Sequence, residues 1–88
     1  MNSMNYKKVI AYNPDTSVLF ELEDGTFALV SLDTDDRFLI TVSKYAETHL
    51  KFGGFEDGKD IPEKTLEKAA QILKKGEKVF TCRDLKLK

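Results

Sequence analysis

No pair of cysteines, no long apolar run and no strong net charge occur in this 88-residue chain, and each absence removes a class of function. Cys82 stands alone, so an internal disulfide cannot form and a cysteine-based zinc site lacks its partners. A reducing, cytoplasmic setting fits that usage. No apolar stretch approaches the roughly 18 residues that a membrane helix requires. The opening Met1-Asn2-Ser3-Met4-Asn5 is polar where a signal peptide is basic and then apolar, so an unexported protein without membrane contact is expected. The formal net charge of −1 supplies no global field for nucleic acid or an anionic surface.

Motifs for chemistry are equally scarce. Asp33-Thr34-Asp35-Asp36 begins like a calcium loop, but the sixth position is Phe38 instead of glycine and the twelfth is Lys44 instead of glutamate. Gly53-Gly54 and Gly58 match neither a P-loop nor a dinucleotide fingerprint. Cys82 and the single histidine, His49, are the only candidates for a thiol nucleophile and its base, and nothing in the sequence brings them together. The expected roles are bland: a small apolar residue for Cys82 and a packing or capping residue for His49. The chain is read as no enzyme, with no cofactor and no metal.

What is present is a pattern. Apolar residues make up 41% and charged residues 33%, enough for one core and a dissolved surface, while a second core needs roughly another 50 residues. One domain over residues 1–88 is therefore expected. From Tyr6 to Leu32, Asn13-Pro14-Asp15-Thr16 and Asp24-Gly25 separate three β-prone runs, which predicts a three-stranded antiparallel meander. A two-residue type I′ turn at Asp24-Gly25 puts Glu23 opposite Thr26, Leu22 opposite Phe27, Phe20 opposite Leu29 and Val18 opposite Ser31. With Pro14-Asp15 central in the first turn, Tyr12 faces Ser17, Ala11 faces Val18, Val9 faces Phe20 and Lys8 faces Glu21, the last an opposite-charge pair. One sheet face then gathers Val9, Ala11, Val18, Phe20, Leu22, Phe27 and Leu29. The other gathers Tyr6, Ile10, Tyr12, Leu19, Ala28, Val30 and Leu32, and so both are apolar.

Alternation over Arg37 to Val42 predicts a fourth strand. Ser43 reads as the N-cap of a helix over residues 44–52 that ends at a left-handed Gly53. Asp60-Ile61-Pro62-Glu63 resembles a capping box, followed by a second helix with Leu66, Ala69, Ala70 and Leu73 at helical spacing up to Gly76. Val79, Phe80 and Thr81 mark a last strand. The fold class is α+β: an antiparallel four- to five-stranded sheet, with its N-terminal meander, packed against two helices.

Function follows by elimination. A meander with two apolar faces in so short a chain predicts a protein-binding module whose uncovered face meets another protein or a second copy of the chain. Its expected surface is Tyr12, Leu19, Val30 and Leu32, joined by Phe52 and Phe55 around the glycine pair. Small proteins of this kind include inhibitors and regulators of larger enzymes or complexes, of phage or mobile-element type, an analogy of size alone. The rival reading is a nucleic-acid-binding domain. Residues 45–88 hold ten Lys/Arg against eight Asp/Glu, whereas residues 1–44 hold four against seven, and Lys74, Lys75, Lys78 and Arg83 would contact phosphate. Interleaved acids such as Glu67 and Glu77 suit a salt-bridged solvent face equally well.

Overall fold

A computed structural model describes residues 5–51 and 53–82. Eight residues of β-prone sequence form β1 (Tyr6–Asn13), followed by β2 (Ser17–Leu22) and β3 (Phe27–Ser31), which together are the predicted meander. Next come β4 (Ile40–Ser43), the single helical turn α1 (Glu47–Leu50), β5 (Glu56–Asp57), a 3-10 turn over Gly58–Asp60, α2 (Glu63–Lys75) and β6 (Val79–Thr81). The six strands make one sheet in the order β5-β1-β2-β3-β4-β6. All neighbours are antiparallel except β4 and β6, which are parallel. Parallel neighbours need a crossover, and α2 lies within the one that joins them.

The meander's turns sit where the sequence puts them, but the register of β2 with β3 does not follow it. The β2–β3 loop holds three residues, Glu23-Asp24-Gly25: the Leu22 amide donates to the Thr26 carbonyl at 2.8 Å and the Gly25 amide to the Leu22 carbonyl at 3.0 Å. A turn closed by a left-handed Gly25, at φ +91°, is the three-residue hairpin with a glycine bulge. The Asp24 carboxylate accepts from the Thr26 hydroxyl at 2.6 Å and the Thr26 amide at 2.9 Å, and these bonds hold its carboxyl below the usual carboxylate range. The pairs are therefore Val18 with Val30, Leu19 with Leu29, Phe20 with Ala28 and Glu21 with Phe27. Gly25→Val should still destabilise the fold by about 1 kcal/mol or more through backbone strain alone, since no atom lies within 4 Å of an added Cβ. An unchanged melting temperature would refute the left-handed turn.

In β1 the expected pairs Lys8 with Glu21 and Val9 with Phe20 are present, although it is Lys7 that reaches the Glu21 carboxylate, at 3.7 Å. A register shift between Val9 and Ala11 then pairs Ala11 with Leu19 and Tyr12 with Val18. One face thus collects Tyr6, Val9, Tyr12, Val18, Phe20, Leu22, Ala28, Val30, Ile40 and Val42, closed over by Leu39 and by Leu66, Ala69, Ile72 and Leu73 of α2. That is the main core.

Both helices begin later than the sequence suggests. Proline biases the residue before it to extended backbone, so Ile61 stays at ψ 131° and Pro62 itself is the N-cap, without a side-chain bond. Asp60 belongs to the preceding 3-10 turn, and the expected capping box is not formed. At its other end α2 closes on Gly76 at φ +65°, as the sequence indicates. Ser43 does not cap α1. It remains in β4, its hydroxyl donating to the Tyr45 carbonyl at 2.8 Å. Its oxygen also lies 2.8 Å from His49 Nε2, a buried polar contact between β4 and α1. Gly53 is left-handed at φ +78°, its amide bonding the Leu50 carbonyl at 3.0 Å, whereas Phe52 lies outside the described residues.

From α1 the chain travels to the opposite edge of the sheet, where β5 pairs with β1. Ser43 shares the face of Phe27, Leu29 and Leu19, opposite the main core, so His49 and the crossing segment lie on that second face. Gly54 lies beside Asn13, whose Nδ2 would be 3.0 Å from an added Cβ. Leu19 is 0% exposed there, and Ala11, Ser43 and His49 are buried with it.

Candidate functional site

The crossing segment leaves one part of the second face uncovered. Thr41 pairs with Phe80, so Phe80 projects on the side of Thr41 and Leu29. Phe38, brought round by the turn before β4, meets it with ring centroids 4.9 Å apart. Both rings remain in solvent, at 43% for Phe38 and 42% for Phe80, and the Arg37 guanidinium lies 5.9 Å from the Phe38 ring. Beside them a shallow groove of about 260 Å³ is lined by Ser17, Leu29, Ser31, Asp36, Phe38 and Thr41.

The same rings border a sheet edge that no described strand extends. β6 is a terminal strand, and all three of its residues are exposed. Its hydrogen bonds show which backbone groups are used. The Lys78 carbonyl accepts from the Leu39 amide at 3.0 Å and the Ile40 amide at 3.4 Å, and the Cys82 amide donates to the Val42 carbonyl at 2.8 Å. In a parallel ladder with Thr41 opposite Phe80, that phase turns Lys78, Phe80 and Cys82 towards β4. The N–H and C=O groups of Val79 and Thr81 point outward, and no described residue pairs with them.

Lys78 fastens this margin. Its ammonium donates to the carbonyls of Thr34 at 3.3 Å and Asp36 at 3.4 Å, on a backbone held at φ +53°. The acidic turn it grips is satisfied internally: the Asp33 carboxylate accepts from the Asp35 amide at 3.0 Å, and the Asp36 carboxylate accepts from the Ser31 hydroxyl. Among the described residues no group of three or more His, Cys, Asp or Glu is placed to hold a metal.

The expected binding residues are redistributed by the register. Tyr12 and Val30 are buried in the main core, with Leu32 partly buried against it, while Leu19 is buried on the opposite face. The four form no common surface. Tyr12 is fixed by its hydroxyl, which donates to the Asp60 carbonyl at 3.2 Å and Glu56 Oε1 at 3.4 Å; burial, then the Glu56 charge, raises its phenol above the ordinary range. Phe55 is half-buried, and Phe52 falls outside the described residues. Of the basic residues, Lys74 and Lys75 are exposed in the last turn of α2, where cations complement the helix dipole, Lys78 holds the acidic turn, and Arg83 lies outside the described residues. Cys82 is half-buried just past β6, its amide donating to the Val42 carbonyl, and His49 is buried against Ser43. Among the described residues no helix is long and apolar enough to cross a membrane.

Comparison with known proteins finds no matching family, no matching curated protein and no matching solved structure.

Proposed function

We propose that this chain is a protein-binding module that acts by occupancy instead of catalysis, and that it binds through the β6 margin. The observation that carries the reading is the Phe38–Phe80 pair, two large aromatics in contact with each other and left in water beside backbone groups that no described residue pairs. Aromatics of this kind dominate interface energetics, and a free edge strand gives an incoming strand both hydrogen bonds and register. The nucleic-acid reading has less behind it, because Lys78 is engaged within the chain and the net charge is −1.

The test is affinity capture from the native host with the wild-type chain and a Phe38→Ser/Phe80→Asp variant. Specific partners should fall at least about tenfold in the variant and persist on the wild type at high salt, which weakens phosphate contacts steeply. Equal recovery by both chains would remove the β6 margin as the binding surface.

A further inference from the structure

We infer that the Asp24-Gly25 link is a site of spontaneous isoaspartate formation held inactive by Thr26, so that the modification marks chains whose β2–β3 turn has opened. The inference is independent of the proposed binding role and stands on the turn alone.

Aspartate followed by glycine is the pair in which this chemistry is easiest, because no Cβ on the second residue hinders its nitrogen. The Gly25 nitrogen attacks Cγ of a protonated Asp24 carboxyl; the amide proton and the carboxyl hydroxyl leave as water, and a cyclic imide forms. Water then adds back at either imide carbonyl. Addition at one restores the aspartyl link, and addition at the other leaves a main chain that runs through Cβ and Cγ, with the α-carboxyl as the side group. Water is the sole co-reactant, and nothing is oxidised or reduced.

The folded turn opposes each requirement. The nucleophile is engaged, since the Gly25 amide donates to the Leu22 carbonyl at 3.0 Å. The electrophile is engaged as well: Asp24 Oδ1 accepts from the Thr26 hydroxyl at 2.6 Å and the Thr26 amide at 2.9 Å. These bonds tie the carboxyl to the residue beyond Gly25 and restrain its closure on the intervening nitrogen. They also favour the ionised group, which has no hydroxyl to release, and hold the Asp24 carboxyl below the usual carboxylate range. Asp24 and Gly25 are both exposed, so water reaches the link.

The product does not fit the same turn. Three residues span Leu22 to Thr26, whose amide and carbonyl are bonded at 2.8 Å, and an isoaspartyl link adds one main-chain atom to that span. The turn sets the register in which Phe20 pairs with Ala28, both 0% exposed. A chain modified at residue 24 therefore does not close again in that register, and a transient opening becomes a lasting one.

The test incubates the full wild-type chain with Thr26→Val, Thr26→Ser and Ile72→Val at mildly acidic pH and body temperature. After digestion, isoaspartate at residue 24 is measured by chromatography of the peptide isomers and by enzymatic methylation of the isoaspartyl carboxyl. Thr26→Val keeps the branched side chain and the amide bond but loses the hydroxyl, and should react at least about threefold faster than wild type, a modest factor because the bond is exposed. Thr26→Ser retains the hydroxyl and should follow wild type. Ile72→Val loosens the core with the turn intact and should react more slowly than Thr26→Val. In denaturant all four chains should share one rate, because the restraint exists only in the fold. Equal rates for folded wild type and Thr26→Val overturn the role of Thr26, and so does a difference that persists in denaturant. Ile72→Val as fast as Thr26→Val would assign the effect to general opening. No isoaspartate at residue 24 even in denaturant overturns the site, and wild-type melting of the purified isoaspartyl chain would show that the product fits the turn.

Discussion

Leu19→Glu is expected to unfold the monomer. Leu19 is 0% exposed, on the face crossed by the segment between α1 and β5. Removing a fully buried leucine forfeits roughly 1.5–3 kcal/mol of burial, and a carboxylate in its place adds the cost of a buried charge. The total, about 4–5 kcal/mol or more, is comparable with the whole stability of a small domain. Circular dichroism should show no cooperative melt near room temperature, or a midpoint lowered by roughly 20 °C or more at about 4–8 °C per kcal/mol. A folded Leu19→Glu chain that had merely lost self-association would instead mean that this face is open.

The second large effect belongs to Gly58, whose replacement by alanine should detach β5 from β1. An added Cβ would lie 2.3 Å from the Val9 carbonyl oxygen and 2.8 Å from its carbon. Both are backbone atoms, so no rotamer change relieves the clash and one strand must move. Overpacking costs typically about 1–3 kcal/mol, and a backbone collision belongs at the upper end. The displacement also endangers the Tyr12 hydrogen bond to the Asp60 carbonyl. Thermal melting should fall by roughly 10–20 °C, and amide exchange at Ala11 and Tyr12 should accelerate. Wild-type melting would show that Gly58 is not in close contact with β1.

These two residues also show where sequence reading succeeds and where it stops. The meander was legible because its breaks carry their own chemistry: proline and a left-handed Asp15 in one turn, a left-handed Gly25 in the other. Its faces were not. Asp24-Gly25 serves both a two-residue and a three-residue hairpin, and a one-residue slip exchanges the sides on which Phe27, Ala28, Leu29 and Val30 lie. An apolar pattern on both faces gives no penalty that could select between the registers. In β1 the Lys8–Glu21 pairing was readable from charge, while the shift after Val9 that turns Ala11 away from the main core leaves no mark in residue type. The α2 stop at Gly76 was local and therefore visible. The candidate site was not, because it joins Phe38 to Phe80 through a parallel pairing of strands distant in sequence, and neither residue is unusual for its neighbourhood.

The left-handed backbone of Lys78 has a further effect on how this edge behaves in concentrated solution. A residue without glycine's freedom, pinned there by its own ammonium on the neighbouring turn, sets where β6 begins. A charged residue so fixed at the start of an edge strand keeps the described ladder from being extended backwards past Val79, which is how strand ends limit edge-to-edge pairing.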